Sequence, residues 1–373
     1  MHNLIESTPG RYRLLMESGC LLALLAFSGS ALADVDQGLA AYRSGHYAQA
    51  LPALTQAATK GNAQAQWALG NMYAGGIGVS QDYTVAAQWW QAAAAQGQPD
   101  AEAGLAALLL NGLGLPQDLE AAAGWYEKAA TQGNARAQVD LADIYIKGEG
   151  VPQDYLVALE WLRKAAAQGA ALAQVRLGAM YANGEGVSQD YAQALQWYRK
   201  AAVQGNAQAE LNVGLLYRDG LGVEQDYGLS VQWITRAAMQ GQVQAMSLLG
   251  QWYYTGQGVN QNVGLALQLL QKAALQGDAD AQGKLAAMYL AGKDVKRDLQ
   301  QAYIFASLAV MNNGDDAILR RDAIGAALSP QQLGKAQVAT RNFVGQNPGA
   351  ASPAALEAAD VTSPEASETI RQP

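Results

Sequence analysis

Hydrolytic or transfer chemistry needs nucleophiles, proton carriers or metal ligands within reach of one another, and this chain holds few of them. It has one cysteine, Cys20, and two histidines, His2 and His46. Cys20 and His2 fall within residues 1–33, a leader-like stretch, so His46 stands alone once that stretch is removed. A Ser-His-Asp or Cys-His arrangement would have to use His46 or a missing thiol, and zinc sites of the His/Cys type fail for the same reason. His46 sits where a helix should begin, a structural position. Asp140 and Asp143, three apart and near Glu149, have a spacing that paired-carboxylate chemistry could use. On an exposed helix such acids are ordinarily just solvated. The segment Asp219-Gly-Leu-Gly-Val-Glu-Gln-Asp226 lacks the alternating acids of a calcium loop. No catalytic, metal or cofactor site is expected, so function must reside in a surface.

The elements that build that surface come from one repeated unit. Segments of one pattern begin at Gly61, Gly97, Gly133, Gly169, Gly205, Gly241 and Gly277, each 36 residues after the last and without insertion. A fixed period of this size is the sign of a solenoid. In the third copy Ala137, Leu141, Ile144 and Tyr145 share one face of a first helix. Lys147 to Pro152 interrupts it, with glycines suited to positive φ. Asp154 caps a second helix over Tyr155–Gln168, which Gly169 ends. The cap column reads Asp82, Asp118, Asp154, Asp190, Asp226, Asn262 and Asp298, and a loop glycine recurs from Gly76 to Gly292. Trp89, Trp125, Trp161, Trp197, Trp233, Leu269 and Phe305 form a bulky column expected to be core, facing the small column Ala93, Ala129, Ala165, Ala201, Ala237, Ala273 and Ala309.

These residues carry a resemblance. The order Ala…Leu-Gly…Tyr…Gly-x-Gly-Val-x-x-Asp-Tyr…Ala-x-x-Trp…Lys-Ala-Ala is similar to the Sel1-like repeat, a relative of the tetratricopeptide repeat with a longer loop. Gly178, Tyr181, Gly184, Gly186, Val187, Asp190, Tyr191, Ala194, Trp197 and Lys200 fit it almost position for position. The second copy departs with Leu109 for Tyr, and the seventh with Asp294 for the loop glycine and Phe305 for Trp. The resemblance implies an all-α fold, a right-handed α/α solenoid of Sel1-like hairpins over residues 61–312 with capping helices at both ends.

Outside the repeats, Met1 to Ala33 has the marks of an export signal: Arg11 and Arg13, an apolar stretch from Cys20 to Phe27, and Ala31-Leu32-Ala33 before a cut at Asp34. The mature chain is then expected in the periplasm or outside the cell, without a transmembrane segment. Residues 34–60 resemble a tetratricopeptide-like capping hairpin, with helices over Gln37–Arg43 and Tyr47–Lys60. Beyond Asn312, residues 313–345 form C-terminal capping helices, one over Asp315–Leu328 and one announced by Ser329-Pro330-Gln331-Gln332. Residues 346–373, with four prolines, are expected to be a disordered tail.

A net charge of −8 gives no electrostatic footprint for nucleic acid. What varies from copy to copy is the other side of the first helix, expected to line a concave groove. In the third copy that side is Arg136, Val139, Asp143, Ile146 and Lys147. Along the stack it adds Gln64, Trp67 and Asn71; Asp100 and Asn111; Leu172 and Asn183; Gln208, Leu211, Leu215, Arg218 and Asp219; Gln244, Gln251 and Tyr254; and Asp280. Trp67 and Tyr254 are the expected aromatic anchors. The groove residues Trp67, Asn71, Arg136, Asp143, Lys147, Asn183, Arg218, Asp219, Gln251 and Tyr254 suit an extended peptide or a glycan chain. The expected function is a non-enzymatic adaptor for a protein or peptide, as the resemblance also implies for exported members in envelope assembly. The alternatives are binding of peptidoglycan or exopolysaccharide and, from a cysteine-rich exported branch of the family, hydrolysis of cell-wall or β-lactam substrates.

Overall fold

The computed structural model describes residues 31–314 and 316–353, and the expected leader lies almost wholly outside them. The chain divides into two compact units, residues 1–117 and 118–373, and the division falls between the two helices of the second 36-residue copy. The first unit contains α1 (Ala31–Arg43), α2 (Tyr47–Thr59), α3 (Ala63–Gly75), α4 (Tyr83–Ala94) and α5 (Pro99–Asn111). The second opens with α6 (Leu119–Thr131), α7 (Ala135–Lys147), α8 (Tyr155–Ala167), α9 (Ala171–Asn183), α10 (Tyr191–Ala202), α11 (Ala207–Asp219) and α12 (Tyr227–Met239). It continues with α13 (Val243–Thr255), α14 (Val263–Ala274), α15 (Ala279–Ala291), α16 (Leu299–Met311), α17 (Ala317–Ala326) and α18 (Pro330–Gln346). In each unit, consecutive helices pair as hairpins and each second helix packs on the first helix of the next hairpin, a solenoid arrangement.

Local chemistry sets the boundaries. Asp82, Asp118, Asp154, Asp190, Asp226, Asn262 and Asp298 each accept a backbone N–H of their own second helix, as their types predict. The loop that follows each first helix starts on a left-handed glycine, such as Gly184 with φ 76. Two residues on, Gly150 has φ 76, and a Cβ there would stand 2.3 Å from the Leu119 carbonyl carbon, so the loop lies flush on the preceding hairpin. A glutamine clamps it: Gln153 Nε2 donates to Ile146 O at 2.6 Å and to the Tyr155 hydroxyl at 3.2 Å.

The core corrects one expectation. Trp89, Trp125, Trp161, Trp197 and Trp233 are only half-buried. The buried bulky column is the next residue along: Trp90, Tyr126, Leu162, Tyr198, Ile234 and Leu270. Its small partner column runs through Gly70, Ala106, Ala142, Gly178, Gly214 and Gly250. A Cβ on Gly70 would lie 2.3 Å from the Trp90 ring, and one on Gly178 2.5 Å from Tyr198. The expected tryptophans instead sit at the edge of the core, and four of them lie beneath cations of their own helix. Lys128 lies 3.7 Å from the Trp125 ring centre, Lys164 3.9 Å from Trp161, Lys200 3.9 Å from Trp197 and Arg236 4.7 Å from Trp233.

A second feature crosses hairpins. Gln66, Glu102, Gln138, Gln174, Glu210 and Gln282 are buried polar side chains, each 36 residues or a multiple from the next. Gln138 donates to Ala130 O at 3.0 Å and accepts from Gln168 at 2.9 Å. The same acceptance recurs from Gln204 to Gln174 at 2.8 Å, Gln240 to Glu210 at 2.6 Å and Asn312 to Gln282 at 3.0 Å. Burial is tolerated because the buried group is bonded on both sides: Gln138 reaches the preceding hairpin through Ala130 O and the end of its own second helix through Gln168.

The ends also differ from expectation. α1 begins at Ala31, not near Gln37, so a cut after Ala33 would fall inside its first turn. His46 holds the capping position of α2 but makes no capping bond, its Nδ1 lying 2.9 Å from Ser44 Oγ. Ser329 and Gln332 form the capping box that starts α18. The segment after Gln346, expected to be disordered, instead docks over residues 347–353: Ala350 O accepts from Gln282 and Asn312, both at 2.8 Å, and Ser352 Oγ donates to Met311 O at 2.7 Å. Residues beyond 353 lie outside the described part of the chain.

Candidate functional site

The variable sides of the first helices are brought together by the stacking itself. Direct contacts between first helices occur at α1–α3 and α3–α5 in the first unit and at α13–α15 in the second, where side chains also link α9 to α7 through Arg176 and Asp143 and the start of α13 to α11 through Gln242 and Gln208.

In the first unit Trp67 is half-buried, edge-on to Tyr42 with ring centres 6.1 Å apart, and its backbone oxygen accepts from Trp90 Nε1 at 3.2 Å. Asn71 donates to the Tyr42 hydroxyl at 3.2 Å. In the second unit the residues at the position of Trp67 are Val139, Val175, Leu211, Ser247 and Gly283, and all five are buried. Val139 and Leu211 were expected on the groove. They instead fill the seam between successive hairpins, because this position points at the neighbouring hairpin and not at solvent.

The remaining expected residues of the second unit lie at the surface. Arg136 is 86% exposed, 3.8 Å from Asp140. Asp143 accepts from Arg176 of the next first helix at 2.8 Å, and Lys147 pairs with Glu149 at 3.6 Å. Asn183 donates to Glu185 at 3.0 Å. Arg218 grips Asp219 through two bonds of 2.7 Å, which hold its guanidinium still more firmly protonated. Gln251 and Tyr254 are half-buried. The Tyr254 hydroxyl donates to Asp294 at 2.9 Å, raising its pKa, and Lys284 lies 5.2 Å from its ring centre.

Sequence reasoning missed one column of this wall: Asp140, Arg176, Asn212, Leu248 and Lys284, which changes at every step. That variability was the available signal. It supplies Arg176 to Asp143 and Lys284 to Tyr254, so the wall is knitted from one hairpin to the next. Asp294 replaces the loop glycine of other copies and there reaches Tyr254.

The acids that might have done chemistry are occupied. Asp140 has its pKa raised by burial, partly offset by Arg136 and by the hydroxyl of buried Tyr126. Asp143 and Glu149 have their own cationic partners, and Asp226 caps α12. An open depression of about 760 Å³ beside the sixth loop is lined by Tyr253, Gly256, Gly258, Val259, Asn260, Gln261, Asn262 and Leu265, which offer no carboxylate, imidazole or thiol.

Stacked hairpins with a regularly packed apolar interior and a varied polar wall define a helical-repeat interaction scaffold. The chain belongs to the Sel1 repeat family: the family model matches residues 63–98, 99–134, 135–169, 171–206, 207–242, 243–278 and 279–314. Sel1 repeat proteins are in general protein-interaction scaffolds and typically non-catalytic. A Sel1 repeat protein from Oxalobacter formigenes is 30% identical, the match covering 64% of this chain and 96% of that one with a TM-score of 0.61. The protein c5321, a protective antigen present in uropathogenic Escherichia coli strains and displaying an SLR fold, is 25% identical over 90% of this chain and 95% of its own, with a TM-score of 0.52. No curated protein matches this sequence. Among the described residues no helix is long and apolar enough to cross a membrane.

Proposed function

We propose that this chain is a non-enzymatic scaffold that holds a protein or peptide partner on its first-helix wall, and that it works outside the cytoplasm. One observation carries the reading: the buried columns keep one character from hairpin to hairpin, a bulky apolar or aromatic residue against Gly or Ala, while the wall of the second unit presents a different set of charges and amides on each first helix. Selection for stacking alone gives no reason for such variety at half-exposed positions. Asp143 with Arg176, Arg218 with Asp219, and Tyr254 with Asp294 and Lys284 are pre-positioned polar groups for backbone and side-chain bonds to an extended segment. A glycan is less suited, because the Tyr254 ring on which a sugar would stack already lies beneath Lys284. Export rests on the leader-like residues 1–33 and is checked by the N-terminus of the protein in extracytoplasmic fractions, with Asp34 expected.

A photo-crosslinking amino acid placed at Lys147, Asn183 or Gln251 tests the wall. Each should give a discrete protein adduct in the native host, and Tyr254→Ala should reduce the adduct from Gln251 while helical content stays unchanged. Absence of adducts from all three positions refutes the assignment.

A further inference from the structure

The second helices of the middle hairpins carry a feature that the wall does not use. α8, α10, α12 and α14 together hold six basic residues and one acid, Glu160, in a chain whose net charge is −8. All six bases are exposed, and none forms an ion pair among the described residues. Arg163 and Arg199 donate to tyrosine hydroxyls of the next first helix, which leaves their charge unneutralised. Part of this basic column has a structural cause, since a cation in the last turn complements the helix dipole and covers an indole. That cause does not extend to the next position on the same face. Three residues beyond Lys200, Arg236 and Lys272 stand Val203, Met239 and Leu275, exposed to 76%, 84% and 39%. Each of these three helix ends therefore offers a cation and an apolar side chain one turn apart, and the pair recurs on three successive hairpins.

We propose that this face docks an acidic amphipathic segment of a protein partner, carboxylates meeting Lys200, Arg236 and Lys272 and apolar side chains meeting Val203, Met239 and Leu275. The proposal rests on the reading of the chain as a protein-binding scaffold but uses a different face. Charge complementarity selects an acidic occupant, and the exposed apolar column selects one that is not merely polyanionic. A glycan is disfavoured because the indole faces are covered by Lys164, Lys200 and Arg236. A membrane-seeking face would present those indoles to the lipid interface instead of holding them inward.

The test uses the purified full chain and a fluorescent synthetic helical peptide bearing Glu and Leu at alternate turns, followed by anisotropy. Binding is expected at low salt, weakened about tenfold or more by Lys200→Glu with Arg236→Glu, by Val203→Ser with Met239→Ser, and by replacing every Glu of the peptide with Gln. Raising salt should weaken it further. Circular dichroism on each variant separates lost binding from lost folding. The proposal is overturned by no binding at any salt, by indifference to the charge reversals, or by polyglutamate binding as tightly as the amphipathic peptide. Sedimentation with phosphatidylglycerol vesicles that depends on Lys200 and Arg236 overturns it too. Because the wall is tested by crosslinks from other residues, either reading can fail alone.

Discussion

Replacing Gln138 with Met tests whether the buried amide ladder ties each first helix to the hairpin before it and to the end of its own second helix. Met has similar length, and Met246 occupies the equivalent position in α13. The substitution removes two hydrogen bonds, one to Ala130 O and one from Gln168. Ala130 O keeps a bond from Gly133 N, and the exposed Gln168 amide can turn to water, so neither is orphaned. At about 0.5–1.5 kcal/mol net per bond, the loss is about 1–3 kcal/mol. Gln168→Met removes only the shared bond but strands the oxygen of buried Gln138, at a cost of about 1–3 kcal/mol. Once Gln138 is gone, Gln168 has no buried partner to lose. The double variant should then cost little more than Gln138→Met alone, with a coupling energy of about 1–2 kcal/mol. Urea unfolding, read with hydrogen exchange across α6 to α8, measures each corner of the cycle, because a solenoid need not unfold in one step. Strictly additive losses would refute the tie between α7 and the end of α8, and a Gln138→Met loss under about 0.5 kcal/mol would refute the ladder as a source of cohesion altogether.

Three further outcomes follow from single features. Glu210 is buried at a ladder position that holds Gln at Gln66, Gln138, Gln174 and Gln282, and burial raises its pKa against the opposing pull of Gln240 and Arg236. A raised folded-state pKa means that stability is lost as pH rises through it, so Glu210→Gln should stabilise the protein at neutral pH. The two proteins should converge below the unfolded carboxyl value of 4.5 in thermal melts. Gly178→Ala would drive a Cβ into the Tyr198 ring, 2.5 Å away, and should cost about 1–3 kcal/mol in chemical denaturation. Tyr198→Leu should recover much of that, since Ala142 and Leu162 pack together one repeat earlier. Asn312→Leu removes one of the two donors to Ala350 O and should raise hydrogen exchange over residues 347–353, while α7 to α10 remain protected as before.

The sequence by itself determined the hairpin, its period and its boundaries, because those depend on neighbours in the chain. Asp154 caps whichever helix follows it, and Gly184 turns left-handed at the end of α9 without help from another hairpin. The tertiary structure alone decided which of two adjacent bulky residues enters the core. Trp197 and Tyr198 differ by 100° around one helix, both border the apolar stripe, and only the approach of Gly178 admits Tyr198 and leaves Trp197 under Lys200. The same holds for Gln138, a surface residue by type that is buried because the preceding hairpin offers it Ala130 O and the end of its own second helix brings Gln168 to it. It holds for Val139 and Leu211, whose places on a wall or in a seam depend on how one first helix meets the next. Local hydrogen bonding and backbone preference act within a few residues of sequence, whereas burial is set by surfaces of separate helices that meet in the folded chain.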